Sequence, residues 1–200
     1  MSSPLTDAAL DQLFRDARTH QFFDGREVSD EQIHAIWDLL KMAPTSMNQL
    51  PLRVVWCKSR EAKDRLAAHA ASGNVEKVKN APVCAILAMD EDFHEHLPDF
   101  APHMGDPKSM WDGQDKADAR AKSAFRNGTL QGGYFILAAR ALGLDCGPMS
   151  GFSNDGVDAD FFADTPNYKS NFICSVGYGD ASKLHPRAPR PEFARFNRLL

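Results

Sequence analysis

Residues 82–89 read P-V-C-A-I-L-A-M. A strand with one wet face alternates apolar and polar side chains, and this run does not alternate. Proline opens it and Asp90, Glu91 and Asp92 close it. A short, continuous apolar run with such boundaries suits a strand covered on both faces. The fold must then supply a layer on either side of it. Elsewhere L-R-V-V-W-C-K (52–58) and K-S-N-F-I-C-S-V-G-Y (169–178) read as further strands, and L-D-C-G-P-M-S-G-F (144–152) as a strand end and turn.

Helical patterns lie between these strands. Thr6 is a candidate N-cap for a first helix running to about Arg18, with Leu10, Leu13, Phe14 and Ala17 on one face. Ser29 and Gln32 fit a capping box ahead of Ile33, Ile36, Trp37 and Leu40, and Pro44 stops that second helix. Shorter helices are expected at 60–71 and at V-D-A-D-F-F-A (157–163). The longest pattern, 116–142, has Gly143 as its C′ residue. Helices alternating with about four strands give an α+β class with helices around a central sheet. There is no internal repeat, and residues 1–200 read as a single domain. Residues 90–115, rich in His, Pro and Asp, read as a surface excursion or lid. The Pro- and Arg-rich tail, 183–200, is expected to be extended.

Bulk properties exclude several classes. The chain has 200 residues, is 43% hydrophobic and 25% charged, and carries a net charge of −4. That balance is globular and argues against nucleic-acid binding through bulk electrostatics. No apolar run is long enough for a membrane span, and the first residues lack the basic, then apolar, pattern of a signal peptide. A cytoplasmic location is expected. Cys57, Cys84, Cys146 and Cys174 are far apart in apolar or turn contexts, so they read as buried thiols and not as a disulfide or zinc framework.

Catalytic signatures are scarce. No G-x-G-x-x-G opens a helix after a strand, and neither a Walker loop nor G-x-S-x-G occurs. His94 and His96 cannot share a helix face; with His103 they read as solvated loop histidines and no metal is expected, a weak site shared with the nearby acids being the alternative. What remains is a scattered set suited to an anion and a polar heterocycle. It comprises Arg18-Thr19-His20-Gln21, the Pro44–Asn48 loop (P-T-S-M-N), Asn74 with Lys77, Met149-Ser150-Gly151, and Arg187 with Arg190. Singly each has an ordinary reading: Arg18 as a cation at a helix end, Lys77 as a solvated lysine, Ser46 as a turn former. Spacing alone does not bring them together.

The order of motifs does. A-R-T-H (17–20), A-P-T-S-M-N (43–48), G-N-V-E-K (73–77), A-P-V (81–83), F-R-N-G-T-L-Q (125–131), A-R-A-L-G-L-D-C-G-P-M-S-G-F (139–152), K-S-N-F (169–172) and G-Y-G-D (177–180) resemble the FMN-dependent nitroreductase family. Within it they are most similar to the malonic semialdehyde reductases of pyrimidine degradation. The resemblance runs from about Leu10 to Phe193. It implies a three-layer α+β fold, a mainly antiparallel sheet wrapped by helices, in an intertwined homodimer with FMN at the subunit interface. NADH or NADPH would reduce the flavin, and a small acceptor would then reoxidise it.

By the same resemblance Arg18, Thr19, His20 and Gln21 hold the phosphate and ribityl chain, and Arg187 and Arg190 the phosphate. Asn74 and Lys77 meet the pyrimidine edge of the flavin. Met149, Ser150 and Gly151 offer backbone N–H groups near N5. Pro44, Thr45, Ser46 and Asn48 serve the partner's flavin. Three departures stand out: Gln21 where a basic residue is common, Ser150 where an acid is common, and Leu50 and Leu52 in place of Gln and Trp. For the acceptor, Lys108, Trp111 and Arg126 are candidates, with malonic semialdehyde giving 3-hydroxypropionate. No side chain is nominated as catalytic, since flavin N5 would carry the chemistry. A broad nitro or quinone reductase, and a flavin store or sensor without turnover, are the alternatives.

Overall fold

A computed structural model describes residues 3–200. Its sheet has four strands, β1 (Leu52–Cys57), β2 (Val83–Asp90), β3 (Asp145–Met149) and β4 (Tyr168–Gly177), in the order β1-β2-β4-β3. Every neighbouring pair is antiparallel. The P-V-C-A-I-L-A-M run supplies β2, between β1 and β4. Val83, Ala85 and Leu87 face one layer, with Ile36 and Leu40 of α2 (Asp30–Leu40) and Phe135, Ala138 and Ala139 of α6 (Ala117–Ala141). Cys84, Ile86 and Ala88 face the other, with Leu66 of α3 (Arg60–Ala68), Val78 of α4 (Val75–Asn80) and Val157 of α7 (Asn154–Phe161). Successive side chains of a strand point to opposite faces, so an unbroken apolar run is what two packed layers require.

The local start and stop signals behave as their chemistry dictates. Ser29 Oγ accepts from Gln32 N while the Gln32 side chain accepts from Ser29 N. At the end of α6, Gly143 sits at φ 76°. Its N–H reaches Arg140 O at 3.0 Å, and Leu144 N reaches Ala139 O at 3.0 Å, a Schellman closure.

The first helix differs from expectation. After α1 (Asp7–Leu10), capped by Thr6 as expected, the chain widens into a π turn over Asp11–Arg15, where Asp16 N bonds Asp11 O. The helix therefore ends before Arg18. Widening by one residue per turn breaks the facial register on which a continuation to Arg18 depended. Residues 18–21 are freed as extended chain that crosses to β3, where His20 N donates to Cys146 O at 3.0 Å.

The 90–115 segment is built of short turns and α5 (Leu97–Phe100). It buries Phe93, Leu97 and Ala101 against Ala124 of α6, with Met47 and Trp111 packed alongside. The chain after Lys183 is exposed and extended apart from one turn, α8 (Phe193–Phe196).

All four cysteines are free and buried. Desolvation pushes the Cys57 thiol up to about 11 and the Cys84 thiol up to about 12. Because the thiolate is the reactive form, the native protein at pH 8 should release almost no chromophore from an aromatic disulfide reagent, and the unfolded protein should titrate four thiols. Rapid reaction of Cys57 or Cys84 in the native state would contradict this burial.

Candidate functional site

The freed segment, the turn after β3 and the start of α4 converge on one cleft of about 240 Å³ at the β3 edge of the sheet. Thr19, His20 and Gln21 form one wall, Met149, Ser150 and Gly151 another, and Asn74 and Lys77 a third. Sequence reasoning had scattered these residues over more than 130 positions; the β3–β4 pairing and the 18–21 crossing gather them. Gly147, Pro148 and Ser175 line the same cleft and were not singled out from the sequence.

Lys77 is positioned by a relay. Gly151 O accepts from Asn74 Nδ2 at 3.0 Å, and Asn74 Oδ1 accepts from Lys77 Nζ at 3.1 Å. No carboxylate pairs with Lys77 among the described residues, so its charge is uncompensated within the chain. Gly151 has a steric reason to be glycine: a Cβ there would lie 2.6 Å from Asn74 Nδ2. The backbone N–H groups of Ser150 and Gly151 find no acceptor among the described residues. The cleft thus presents a cation and free donors, a set suited to a heterocycle that gathers negative charge.

His20 is buried, with Nε2 3.5 Å from Asp145 Oδ1 and no partner for Nδ1. A Cβ on Gly179 would overlap its ring, and Asp145 Oδ2 accepts from Gly179 N at 2.9 Å. This contact seats the 18–21 segment against the sheet.

Thr19 also borders a second hollow, of about 230 Å³, lined by Arg18, Arg140, Arg187 and Arg190. Their hydrogen bonds go to backbone carbonyls: Arg18 to His185 O at 2.6 Å, Arg187 to Ala17 O at 3.0 Å, Arg140 to Leu13 O at 3.2 Å, Arg190 to Ala188 O at 3.0 Å. None of the ion pairs among the described residues involves any of the four. Four guanidinium groups without carboxylates are chemically suited to a phosphate-like dianion. Arg140 was missed because the last turn of a helix is an ordinary place for a cation.

The Pro44–Asn48 loop lies elsewhere in the chain. It leads into β1, the opposite edge, three strand spacings or about 14 Å from β3. Pro44, Thr45, Ser46 and Asn48 do not line the cleft. Buried amides hold the loop: Asn127 Oδ1 accepts from Ser46 N at 2.9 Å, Gln131 Oε1 accepts from Leu52 N at 2.9 Å, and Phe100 O accepts from Asn48 Nδ2 at 2.8 Å. Met47, Asn48 and Leu50 sit at φ 53°, 53° and 43°, costing on the order of 1–3 kcal/mol each. A loop strained at three non-glycine positions and braced by buried amides is fixed in shape.

The acceptor candidates are not gathered at the cleft either. Lys108 Nζ is held by Glu95 Oε2 at 2.7 Å, Trp111 packs edge-on against Phe93 at 5.2 Å, and Arg126 is exposed on α6. Asn127 and Gln131, from the same F-R-N-G-T-L-Q stretch as Arg126, were not singled out, although they brace the loop.

Comparison with known proteins identifies the family. Residues 14–178 match the Nitroreductase family. A protein of Polynucleobacter asymbioticus named "Putative NADH dehydrogenase/NAD(P)H nitroreductase" is 53% identical over 200 residues, covering all of both chains. One of the same name from Rhodopseudomonas palustris is 52% identical over 200 residues, again covering both completely. A nitroreductase structure from Exiguobacterium sibiricum, described as a complex with FMN, superposes with a TM-score of 0.81 at 22% identity and covers all of both chains. The chain belongs to the nitroreductase family.

Proposed function

We propose that the protein is an FMN-dependent NAD(P)H oxidoreductase that works as a homodimer on a small organic acceptor. The observation that carries this reading is the adjacency of the two sites. A cleft with one uncompensated ammonium and free backbone donors shares Thr19 with a hollow of four uncompensated guanidinium groups. FMN has that bipolar shape, a polar ring system at one end and a phosphate dianion at the other. Bound there, it supplies two-electron transfer between a reduced nicotinamide and the acceptor.

The chain's residues do the rest. Arg18, Arg140, Arg187 and Arg190 would neutralise the phosphate. Lys77, held by Asn74, would favour the state in which the pyrimidine edge carries negative charge. Ser150 and Gly151 would donate backbone hydrogen bonds to the ring. No carboxylate, imidazole or thiol in the cleft is placed as a nucleophile, in keeping with positioning and electrostatics as the source of rate.

Two observations support the dimer. Phe125, Leu130 and Tyr134 are exposed on α6, Trp37 and Leu39 on α2, and Met42 just beyond it. The braced 44–48 loop has no ligand of its own chain to touch, so a second copy's cleft is its natural destination.

Lys77→Met should keep FMN bound but lower its two-electron potential by about 20–65 mV, the equivalent of ~1–3 kcal/mol. Reduction by NADH should slow accordingly. An unchanged potential in the folded, flavin-loaded variant would show that Lys77 does not act on the ring. Failure of NADH to bleach the native protein would leave a flavin store or sensor.

For the acceptor we propose malonic semialdehyde. Of the two cations offered for its carboxylate, Lys108 is engaged by Glu95, whereas Arg126 is exposed and in no ion pair among the described residues. Stopped-flow reoxidation should therefore be faster with malonic semialdehyde than with propanal, and Arg126→Ala should narrow the difference while Lys108→Ala leaves it. Equal rates with the two aldehydes would make a broad nitro or quinone reductase the better description.

A further inference from the structure

On the far side of the buried cluster formed by Phe93, Leu97 and Ala101, one imidazole is out of place. His94 is only 4% exposed, not the solvated loop histidine expected, and its ring makes no hydrogen bond among the described residues: Nδ1 has no partner, and Nε2 faces two carboxylates beyond hydrogen-bonding distance of ordinary length. Nε2 lies 3.7 Å from Glu95 Oε1 and 3.5 Å from Asp112 Oδ1. The three donor atoms all fall within 4.8 Å of one another. His96, two positions on, turns instead toward Asp90.

These separations are those of donors sharing a metal. Two ligand atoms about 2.1 Å from a zinc ion, at the tetrahedral angle, stand about 3.4 Å apart. A direct imidazolium–carboxylate hydrogen bond would bring the same atoms to about 2.8 Å. Glu95 also divides its oxygens in a useful way: Oε2 accepts from Lys108 Nζ at 2.7 Å, leaving Oε1 for the shared point. Glu95 and Asp112 are more than half exposed, so water can reach the remaining coordination positions.

We propose that His94, Glu95 and Asp112 form a binding site for a single divalent transition-metal ion of the zinc class. One nitrogen and two carboxylate oxygens suit Zn²⁺, and Co²⁺ in its place, better than Ca²⁺ or Mg²⁺, which favour all-oxygen shells. The ion closes the chain between Glu95 and Asp112. It thereby clips down the segment that carries Phe100, whose carbonyl braces Asn48 of the 44–48 loop. Its role is structural, remote from the cleft at the β3 edge.

The test uses the flavin-loaded protein after chelation and dialysis. Titration with Co²⁺ should produce visible d–d absorption saturating at one ion per chain, with Zn²⁺ displacing it. The adjacent Trp111 emission should be quenched in step by Co²⁺. Asp112→Asn, a surface change, should abolish the saturable signal, as should His94→Gln; Lys108→Ala should keep it or tighten it, since a competing cation is removed. Flavin content and NADH bleaching should be the same in Asp112→Asn and Lys108→Ala as in the parent. No saturable absorption up to millimolar Co²⁺, or a signal that survives Asp112→Asn, would overturn the assignment.

Discussion

The strand Val83–Asp90 has no face to water, and the molecule is arranged around satisfying it. Its backbone groups are used on both sides by β1 and β4. Its side chains are shared out alternately to two helical layers. At about 25 cal/mol per Å², six buried apolar side chains are a major part of the folding drive, and each layer has to be present for its half to count. Once β2 is central, β4 must lie beside it and β3 must take the far edge. The turn Met149–Gly151 then stands at a rim of the sheet and not in its middle.

That rim is where the chain leaves polar groups unspent. The 18–21 segment crosses to β3 because a π turn ends the first helix early. His20 seats it against Gly179 and Asp145. The tail returns to within hydrogen-bonding distance of the same segment through His185 and Arg187. Several surface cations have a carboxylate within reach, as Arg15, Lys58 and Arg65 do. Lys77 and the four arginines of the hollow are the contrast, and leaving like charges close together without counter-ions costs stability unless a ligand supplies the missing charge. The opposite rim is strained instead: a loop with three left-handed non-glycine residues, pinned by Asn127 and Gln131. Complementary rims of this kind suit a dimer in which each copy completes the other.

Much of the fold was legible because its signals are local. Ser29 with Gln32, Gly143, and the unbroken 83–88 run each encode their structure within a few residues. The π turn was not, since moving a hydrogen bond by one residue leaves no mark in composition. Nor was the left-handed loop, because Met47 and Leu50 are residues that ordinarily avoid that region. For the site, residue types pointed to an anion and a heterocycle, but their union depends on strand pairing across the β3–β4 ladder, and only the family resemblance anticipated it. Arg140, Asn127, Gln131 and Ser175 escaped notice for one common reason. On a helix or strand they read as ordinary polar positions until the segment opposite them is known.

The central claim is that the guanidinium hollow and the Lys77 cleft are two ends of one FMN site. Comparing FMN with riboflavin on the flavin-free protein tests it most directly, because the two ligands differ only in the phosphate. FMN should bind at least about 100-fold more tightly, roughly 2.7 kcal/mol. The advantage should fall with added salt and shrink in both Arg140→Ala and Arg187→Ala. Equal affinity for the two flavins, or an advantage untouched by either substitution, would contradict it.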